Sequence, residues 1–194
     1  MGKGDYLTAI LRSPKTVFTY GDIFLLWGEQ SSNSARVRLN YYVRNGDLYR
    51  IRRGMYAKDK NYNKTELASR IFTPSYVSFE TVLAKEGVTF QYYSQIFIAS
   101  YLSREILIDQ QIYSFKKIKD DILTNPLGIE NKDELSIATK ERAFLDTLYI
   151  NTDYYFDNLG SLNWDKILEM VEIYQNKRML KKVKELYAIA SNSK

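Results

Sequence analysis

Between Ser32 and Lys58 the chain places side chains suited to a polyanion with readable edges. Ser32, Asn33, Ser34, Arg36, Val37, Arg38, Asn40, Tyr41 and Arg44 come first, followed by Arg50, Arg52, Arg53 and Lys58. A guanidinium can pair with guanine, a carboxamide with adenine, and an apolar group can meet a thymine methyl. Arginine and lysine on a hairpin suit phosphates or the minor groove. For any single arginine the competing reading is a solvated charged face. The whole set on one short motif favours duplex DNA.

Those side chains need a helix and a hairpin to hold them. Stepping about 100° per residue from Ala35 puts Ala35, Leu39, Tyr42 and, at the edge, Val43 on one side. Asn33, Ser34, Val37, Asn40, Tyr41 and Arg44 fall on the other, flanked by Arg36 and Arg38. The pattern predicts a helix from about Asn33 to Arg44, capped by Ser31 or Ser32 and stopped at Asn45-Gly46. Before it, Thr19 and Asp22 have capping-box spacing, weakened by Asp in place of Glu. That helix carries Ile23, Phe24, Leu26 and Trp27 and stops at Gly28. After it come a short strand (Leu48 to Ile51), a turn at Arg53-Gly54 and a second strand (Met55 to Ala57). Helix, turn, helix and hairpin together are the winged-helix order. A short helix, Asp5 to Arg12, would pack behind.

The charge distribution agrees with this placement. Residues 1–58 hold ten Lys/Arg and four Asp/Glu, a balance of +6. Residues 59–194 hold eighteen and nineteen, a balance of −1, and the two sum to the chain's +5. The positive excess thus sits wholly in the part expected to read DNA. The chain has no cysteine and no histidine. That removes disulfides, thiol nucleophiles and imidazole bases, and it strips away the usual zinc ligands. No metal and no cofactor is expected. The lack of cysteine fits a reducing cytoplasm, the expected location. No apolar run approaches the roughly 18 residues of a membrane span. The opening MGKGDYLTAILRS has no apolar core and no cleavage site, so no signal peptide is expected. Tyr6 stands where a myristoylation signal needs Ser or Thr.

Lys58 to Asn63 is polar and reads as the link between two domains, 1–58 and 64–194. The second half mixes helices with a small sheet. Helices are predicted over Lys64–Phe72, ended by Thr73-Pro74, and over Phe79–Glu86, capped by Ser78 and closed by Gly87. More follow over Lys140–Ile150 (capped by Thr139), Trp164–Tyr174 and Arg178–Ala190. Tyr76-Val77, Gln95–Ser100, Gln110–Phe115, a piece near Gly128–Glu130 and Leu135–Ala138 read as extended. The fold class is therefore α+β: a winged helix–turn–helix, then a mixed α/β domain with C-terminal helices.

Catalytic chemistry finds little support. Arg142 and Asp146, four residues apart, read as an intrahelical ion pair worth a few tenths of a kcal/mol. Asp120-Asp121 and Asp133-Glu134 are paired acids. Glu130, Asn131 and Lys132 only faintly suggest a metal nuclease and lie in a loop-like stretch. No phosphate loop of the GxxxxGK[ST] type occurs. The expectation is a protein that is not an enzyme. Lys177 to Lys184 is basic and helical, either a second phosphate contact or a solvated face balanced by Glu169, Glu172 and Glu185. Tyrosine is abundant, 17 of 194 residues, so most of it must be core and rim. Tyr41, Tyr49 and Tyr56 are candidates for the DNA surface. Tyr92-Tyr93 and Tyr154-Tyr155-Phe156 are candidates for a partner-facing patch.

The order of pieces resembles a known family. The run Gly46-Asp47-Leu48-Tyr49-Arg50-Ile51-Arg52-Arg53-Gly54-Met55-Tyr56 is followed by Pro74-Ser75-Tyr76-Val77-Ser78-Phe79-Glu80-Thr81-Val82-Leu83. Ile137-Ala138-Thr139-Lys140-Glu141-Arg142-Ala143-Phe144-Leu145-Asp146 comes last. Together they are similar to the AbiEi antitoxins of abortive-infection, type IV toxin–antitoxin systems, over roughly residues 5–150. The resemblance implies a bacterial transcriptional autorepressor whose N-terminal domain binds inverted repeats in its own promoter, as two copies of a monomer or weak dimer. It implies a C-terminal domain that counters a nucleotidyltransferase-like toxin without necessarily contacting it. Two other readings stay open: a winged helix used as a protein-interaction module, and a ligand-sensing regulator without an antitoxin role. No sustained heptad pattern points to a coiled-coil dimer.

Overall fold

The computed structural model describes residues 3–29, 31–132 and 135–192. The fold is α+β with two sheets. The chain divides into two compact units, Met1–Leu67 and Ala68–Lys194.

The first unit runs α1 (Lys3–Arg12), β1 (Val17–Thr19), α2 (Tyr20–Trp27), α3 (Ser32–Asn45), β2 (Tyr49–Arg52), β3 (Met55–Ala57), and then the start of α4 (Lys64–Ile71). Helix α2 begins with a complete capping box. Asp22 N–H donates to Thr19 Oγ1 at 3.1 Å, and Thr19 N–H donates to Asp22 Oδ2 at 2.8 Å. The shorter Asp still closes both halves of the box. Gly28 ends α2 in the left-handed conformation. Ser31 takes the N-cap position of α3 but makes no side-chain capping bond. Ala35, Leu39 and Tyr42 of α3 are buried, with Val43 half-buried. They join Ile10, Phe18, Ile23, Trp27, Leu48 and Tyr56 in one core. Trp27 donates its indole N–H to Tyr6 O at 2.9 Å, so α1 is fixed to the end of α2.

The hairpin β2–β3 turns at Gly54 (φ 81°), and its pairing shifts between Arg50 and Arg52. This bulge leaves Ile51 facing the core and the arginines facing out. Strand β1 has no counterpart in the sequence reading. It pairs antiparallel with β3, Val17 opposite Ala57, and makes the sheet three-stranded in the order β1-β3-β2. Its other support is the Glu66 carboxylate, almost wholly buried, which accepts from Thr16 N (3.0 Å), Thr16 Oγ1 (2.6 Å) and Val17 N (3.2 Å). Residues up to Glu66 therefore fold with the first unit. Glu66→Ala removes a charged acceptor from buried donors and should destabilise this unit by about 2 kcal/mol. Urea unfolding of the full chain checks it; no loss of stability would mean that β1 does not depend on that carboxylate.

The second unit contains β4 (Ser75–Val77), α5 (Glu80–Lys85), β5 (Ile96–Ser100), β6 (Arg104–Ile108), β7 (Gln111–Lys117), α6 (Asp120–Leu123), β8 (Ile129–Lys132) and β9 (Leu135–Ala138). Then come α7 (Lys140–Ile150), a 3-10 turn at Leu159–Ser161, α8 (Trp164–Met170), a 3-10 turn at Val171–Tyr174, and α9 (Lys177–Asn192). The sheet has six strands in the order β6-β7-β5-β4-β9-β8, larger than the small sheet expected. The pairs β5·β7 and β4·β9 are parallel and the rest antiparallel.

Three local expectations need correction. Strand β6 went unread because its hairpin to β7 turns on Asp109-Gln110, both at positive φ (46° and 64°) without a glycine. Gln110 thus belongs to the turn, not the strand. Ser78 does not cap α5: Phe79 holds the N-cap position, while Ser78 Oγ donates to Asp146. The expected helix over Trp164–Tyr174 tightens to 3-10 geometry after Met170. By contrast, Thr139 does cap α7, accepting from Arg142 N at 3.3 Å.

The pair Arg142 and Asp146 differs most from its sequence reading. Its atoms approach to 3.3 Å, four residues apart as expected, but both side chains are fully buried. All five guanidinium N–H groups find acceptors. Nε reaches Asp146; Nη1 reaches Leu127 O (2.7 Å) and Asn125 O (3.5 Å); Nη2 reaches Ile122 O (2.6 Å) and the Tyr76 hydroxyl (3.0 Å). Asp146 in turn accepts from Tyr174 (2.7 Å), Ser78 (2.7 Å) and Tyr76 (3.1 Å). Burial, reinforced by the Asp146 charge, holds the Tyr76 and Tyr174 hydroxyls protonated far above the usual phenol range. One guanidinium thus joins α7, β4, the end of α6 and the loop before β8. Gly128 in that loop has φ 72°, and a Cβ there would lie 2.7 Å from Met170 Sδ and 2.8 Å from Arg142 Cβ. Gly128→Ala should destabilise the second unit by about 1–3 kcal/mol through strain and overpacking. Unchanged thermal unfolding would contradict this packing.

Candidate nucleic-acid interface

Helix α3 presents its polar side to solvent. Ser32, Asn33, Ser34, Arg36, Val37, Asn40, Tyr41 and Arg44 are all exposed, as are Arg50, Arg52 and Arg53 on the hairpin. Val37 is 71% and Tyr41 59% exposed, so this face offers apolar as well as polar contacts. A groove of about 810 Å³ runs along this face, lined by Asn33, Ser34, Val37, Arg38, Tyr41, Tyr42 and Asp47. Among the described residues, none of Arg36, Arg44, Arg50, Arg52 and Arg53 forms an ion pair with a carboxylate. Their charge is available to an anion.

Two of the sequence candidates are engaged inside the unit. Arg38 is half-buried, its guanidinium 3.6 Å from the centre of the Tyr6 ring and ion-paired with Glu29. Lys58 is half-buried and donates to Ser13 O just beyond α1. Both still carry charge near the basic surface, but their first partners are internal.

The tyrosines divide. Tyr41 is exposed, Tyr49 stacks on Tyr62 with ring centres 6.3 Å apart, and Tyr56 is core. Tyr56 is thus removed from the candidate surface, because β3 lies between two strands and buries all of its side chains. Tyr20 plays a part that the sequence does not signal. Its hydroxyl donates to Ser32 O at 2.6 Å, and Arg36 lies over its ring at 5.4 Å. It therefore orients both the first residue of α3 and one of its arginines. Its partners are far along the chain, so no local pattern could reveal this.

The second unit offers less chemistry. Among the described residues there is no group of three or more acidic side chains able to hold a metal ion. Asp120 and Asp121 occupy the first turn of α6, and Asp133-Glu134 lies outside the described residues. Glu130 to Lys132 forms strand β8 at the sheet edge, not a loop. Tyr92 and Tyr155 are 87% and 78% exposed, while Phe156 is buried. Their loops are tied together by Asp157, which accepts from Thr89 Oγ1 (3.1 Å) and Phe90 N (2.8 Å). Among the described residues no helix is long and apolar enough to cross a membrane.

The exposed polar face of α3 and the arginines of the hairpin thus lie on one small α+β unit. Residues 5–57 match the family described as "Transcriptional regulator, AbiEi antitoxin". Over that segment the chain is similar to the AbiEi regulators, in agreement with the sequence resemblance. No curated protein matches the chain.

Proposed function

We propose that this protein is a DNA-binding autorepressor and antitoxin of a type IV, phage-abortive toxin–antitoxin system. In this reading α1 to α3 and the β2–β3 hairpin form a winged helix–turn–helix. Helix α3 enters the major groove, where Asn33, Arg36, Asn40, Arg44 and Val37 meet base edges and Ser32, Ser34 and Tyr41 meet the flanking backbone. Arg38 and Lys58 add charge at the rim. Arg50, Arg52 and Arg53 on the wing meet phosphates or the minor groove. Two copies bind an inverted repeat in the protein's own promoter. The second unit counters a nucleotidyltransferase-like toxin, and the protein works in the cytoplasm without cofactor or catalysis.

The observation that carries this reading is the α3 face itself. Amides, guanidiniums and an exposed valine share it, and its outward arginines lack carboxylate partners among the described residues. A protein-interaction surface would bind without releasing several counterions, so salt decides between the two. Replacing Arg50, Arg52 and Arg53 together by alanine should lower affinity on all duplexes and flatten the log K against log salt slope by up to about 2.7, at ~0.9 per lost phosphate contact. A slope unchanged by that triple substitution would remove the hairpin from the DNA surface. For the antitoxin half, co-expression with a nucleotidyltransferase-like toxin encoded beside it should relieve the toxin's growth arrest, and finding no such gene or continued arrest would refute it.

A further inference from the structure

The six-stranded sheet ends at β6 on one side and β8 on the other. An edge strand offers unpaired backbone N–H and C=O groups to any strand that reaches it, and natural edges are blunted by lysine, proline or a bulge. Strand β8 carries Lys132. Strand β6, Arg104-Glu105-Ile106-Leu107-Ile108, has no lysine and no proline. Its pairing with β7 runs without a bulge from Arg104–Phe115 to Ile108–Gln111. Arg104, Glu105 and Leu107 are exposed, Leu107 at 69%.

The hairpin to β7 fixes which backbone groups face outward. Asp109 and Gln110 both have positive φ, as a two-residue type I′ loop requires. Ile108 and Gln111 close that loop as a hydrogen-bonded pair. Such pairs alternate along an antiparallel ladder, so Ile106 with Tyr113 and Arg104 with Phe115 are hydrogen-bonded too. Glu105 and Leu107 hold the positions between, and their N–H and C=O groups point away from β7. Among the described residues no strand lies beyond them.

Two copies of this edge complement each other in one antiparallel register. Glu105 of each copy stands opposite Leu107 of the other as a hydrogen-bonded pair. Ile106 meets Ile106 on the two-fold axis, and Arg104 meets Ile108, so the whole strand is paired. Sliding two residues one way sets Glu105 against Glu105. Sliding two residues the other way sets Glu105 against Asp109. Both slips place like charges directly opposite, which is destabilising. A seam of two short strands is far smaller than the ~20–30 residues a side of a stable interface, so the association is weak.

We infer that β6 is a pairing edge for a second copy of this chain, joining two sheets into one across an Ile106–Ile106 axis. This pairing goes beyond the proposed function and needs no DNA, so its failure leaves that reading untouched. The chain has no cysteine, so a disulfide in a single-cysteine variant must join two chains. In this register the two Ile106 Cα atoms stand ~4.5 Å apart, within the ~4.4–6.8 Å that a disulfide spans. The two Leu107 Cα atoms are two residues out of step and stand about 8 Å apart, at ~3.4 Å rise and ~4.8 Å strand spacing. Under the same mild oxidation of the full chain, Ile106→Cys should cross-link about tenfold faster than Leu107→Cys. Random collision would favour Leu107, the more exposed of the two.

Sedimentation velocity of the concentrated full chain gives a second readout. Leu107→Glu sets like charges opposite Glu105 and should weaken self-association several-fold, whereas Leu107→Lys makes an opposite-charge pair there and should strengthen it. Neither change removes a ladder bond to β7, so circular dichroism should match the parent. Cross-linking at Leu107 as fast as at Ile106 overturns the inference. So does equal self-association of the glutamate and lysine variants. A parent that stays monomeric at its highest soluble concentration also overturns it, and leaves this edge to a strand from another protein.

Discussion

Replacing Arg142 by methionine should destabilise the second unit by about 3–5 kcal/mol, the largest single effect expected in this chain. The substitution leaves Asp146 buried and charged with only hydroxyl donors, and breaking a buried pair from one side carries that cost. It also removes the two shortest guanidinium bonds, to the carbonyls of Ile122 and Leu127; Ile122 O keeps the Asn125 N–H as a donor. Asp146→Leu should cost a similar amount by stranding the guanidinium. The double substitution should cost less than the sum of the singles, because two apolar residues in place of a buried pair avoid its desolvation penalty. Denaturant unfolding of the full chain gives all three values. Strict additivity, or a loss near the few tenths of a kcal/mol of an exposed helical pair, would show that the two charges are not coupled in the folded protein.

The second large effect concerns DNA. Arg36→Ala and Arg44→Ala should each weaken binding to the protein's operator by about 1–3 kcal/mol, and relax sequence preference at the base that each one reads. Arg36 is held over Tyr20, so its guanidinium is partly preorganised and Tyr20→Leu should reproduce part of its loss. Arg44 lies in the last turn of α3 without a carboxylate partner among the described residues. Neither substitution removes core contacts, so folding should be unaffected. Binding that stays as tight and as selective in both variants would take α3 out of the groove.

How legible these features were depends on the range of the interactions behind them. Helix α3 could be read because Ala35, Leu39 and Tyr42 recur at helical spacing, and a local period fixes which face is buried. Thr19 with Asp22, and Thr139 ahead of α7, could be read because capping is decided within three residues. The outward set on α3 follows from the same period, and its exposure agrees residue by residue. The failures are non-local. Strand β1 is three residues long and exists because β3 and Glu66 lie beside it, about forty and fifty residues away in sequence. Tyr56 reads as a wing residue until β1 is seen to cover it. Arg142 and Asp146 show the expected helical spacing, yet spacing cannot say that Tyr76, Tyr174 and three distant carbonyls converge on them. Arg38 and Lys58 satisfy the chemistry of a phosphate contact equally well, and only packing shows that Tyr6, Glu29 and Ser13 reach them first.

The central claim is that the first unit reads DNA, and a binding titration tests it most directly. The full chain is titrated against its own upstream region and against a scrambled duplex, each at two salt concentrations. The account predicts tight binding to the upstream region, preference over the scramble, and steep weakening as salt rises. Weak binding that is equal on both duplexes and insensitive to salt would contradict it, and would redirect the α3 surface to a protein partner.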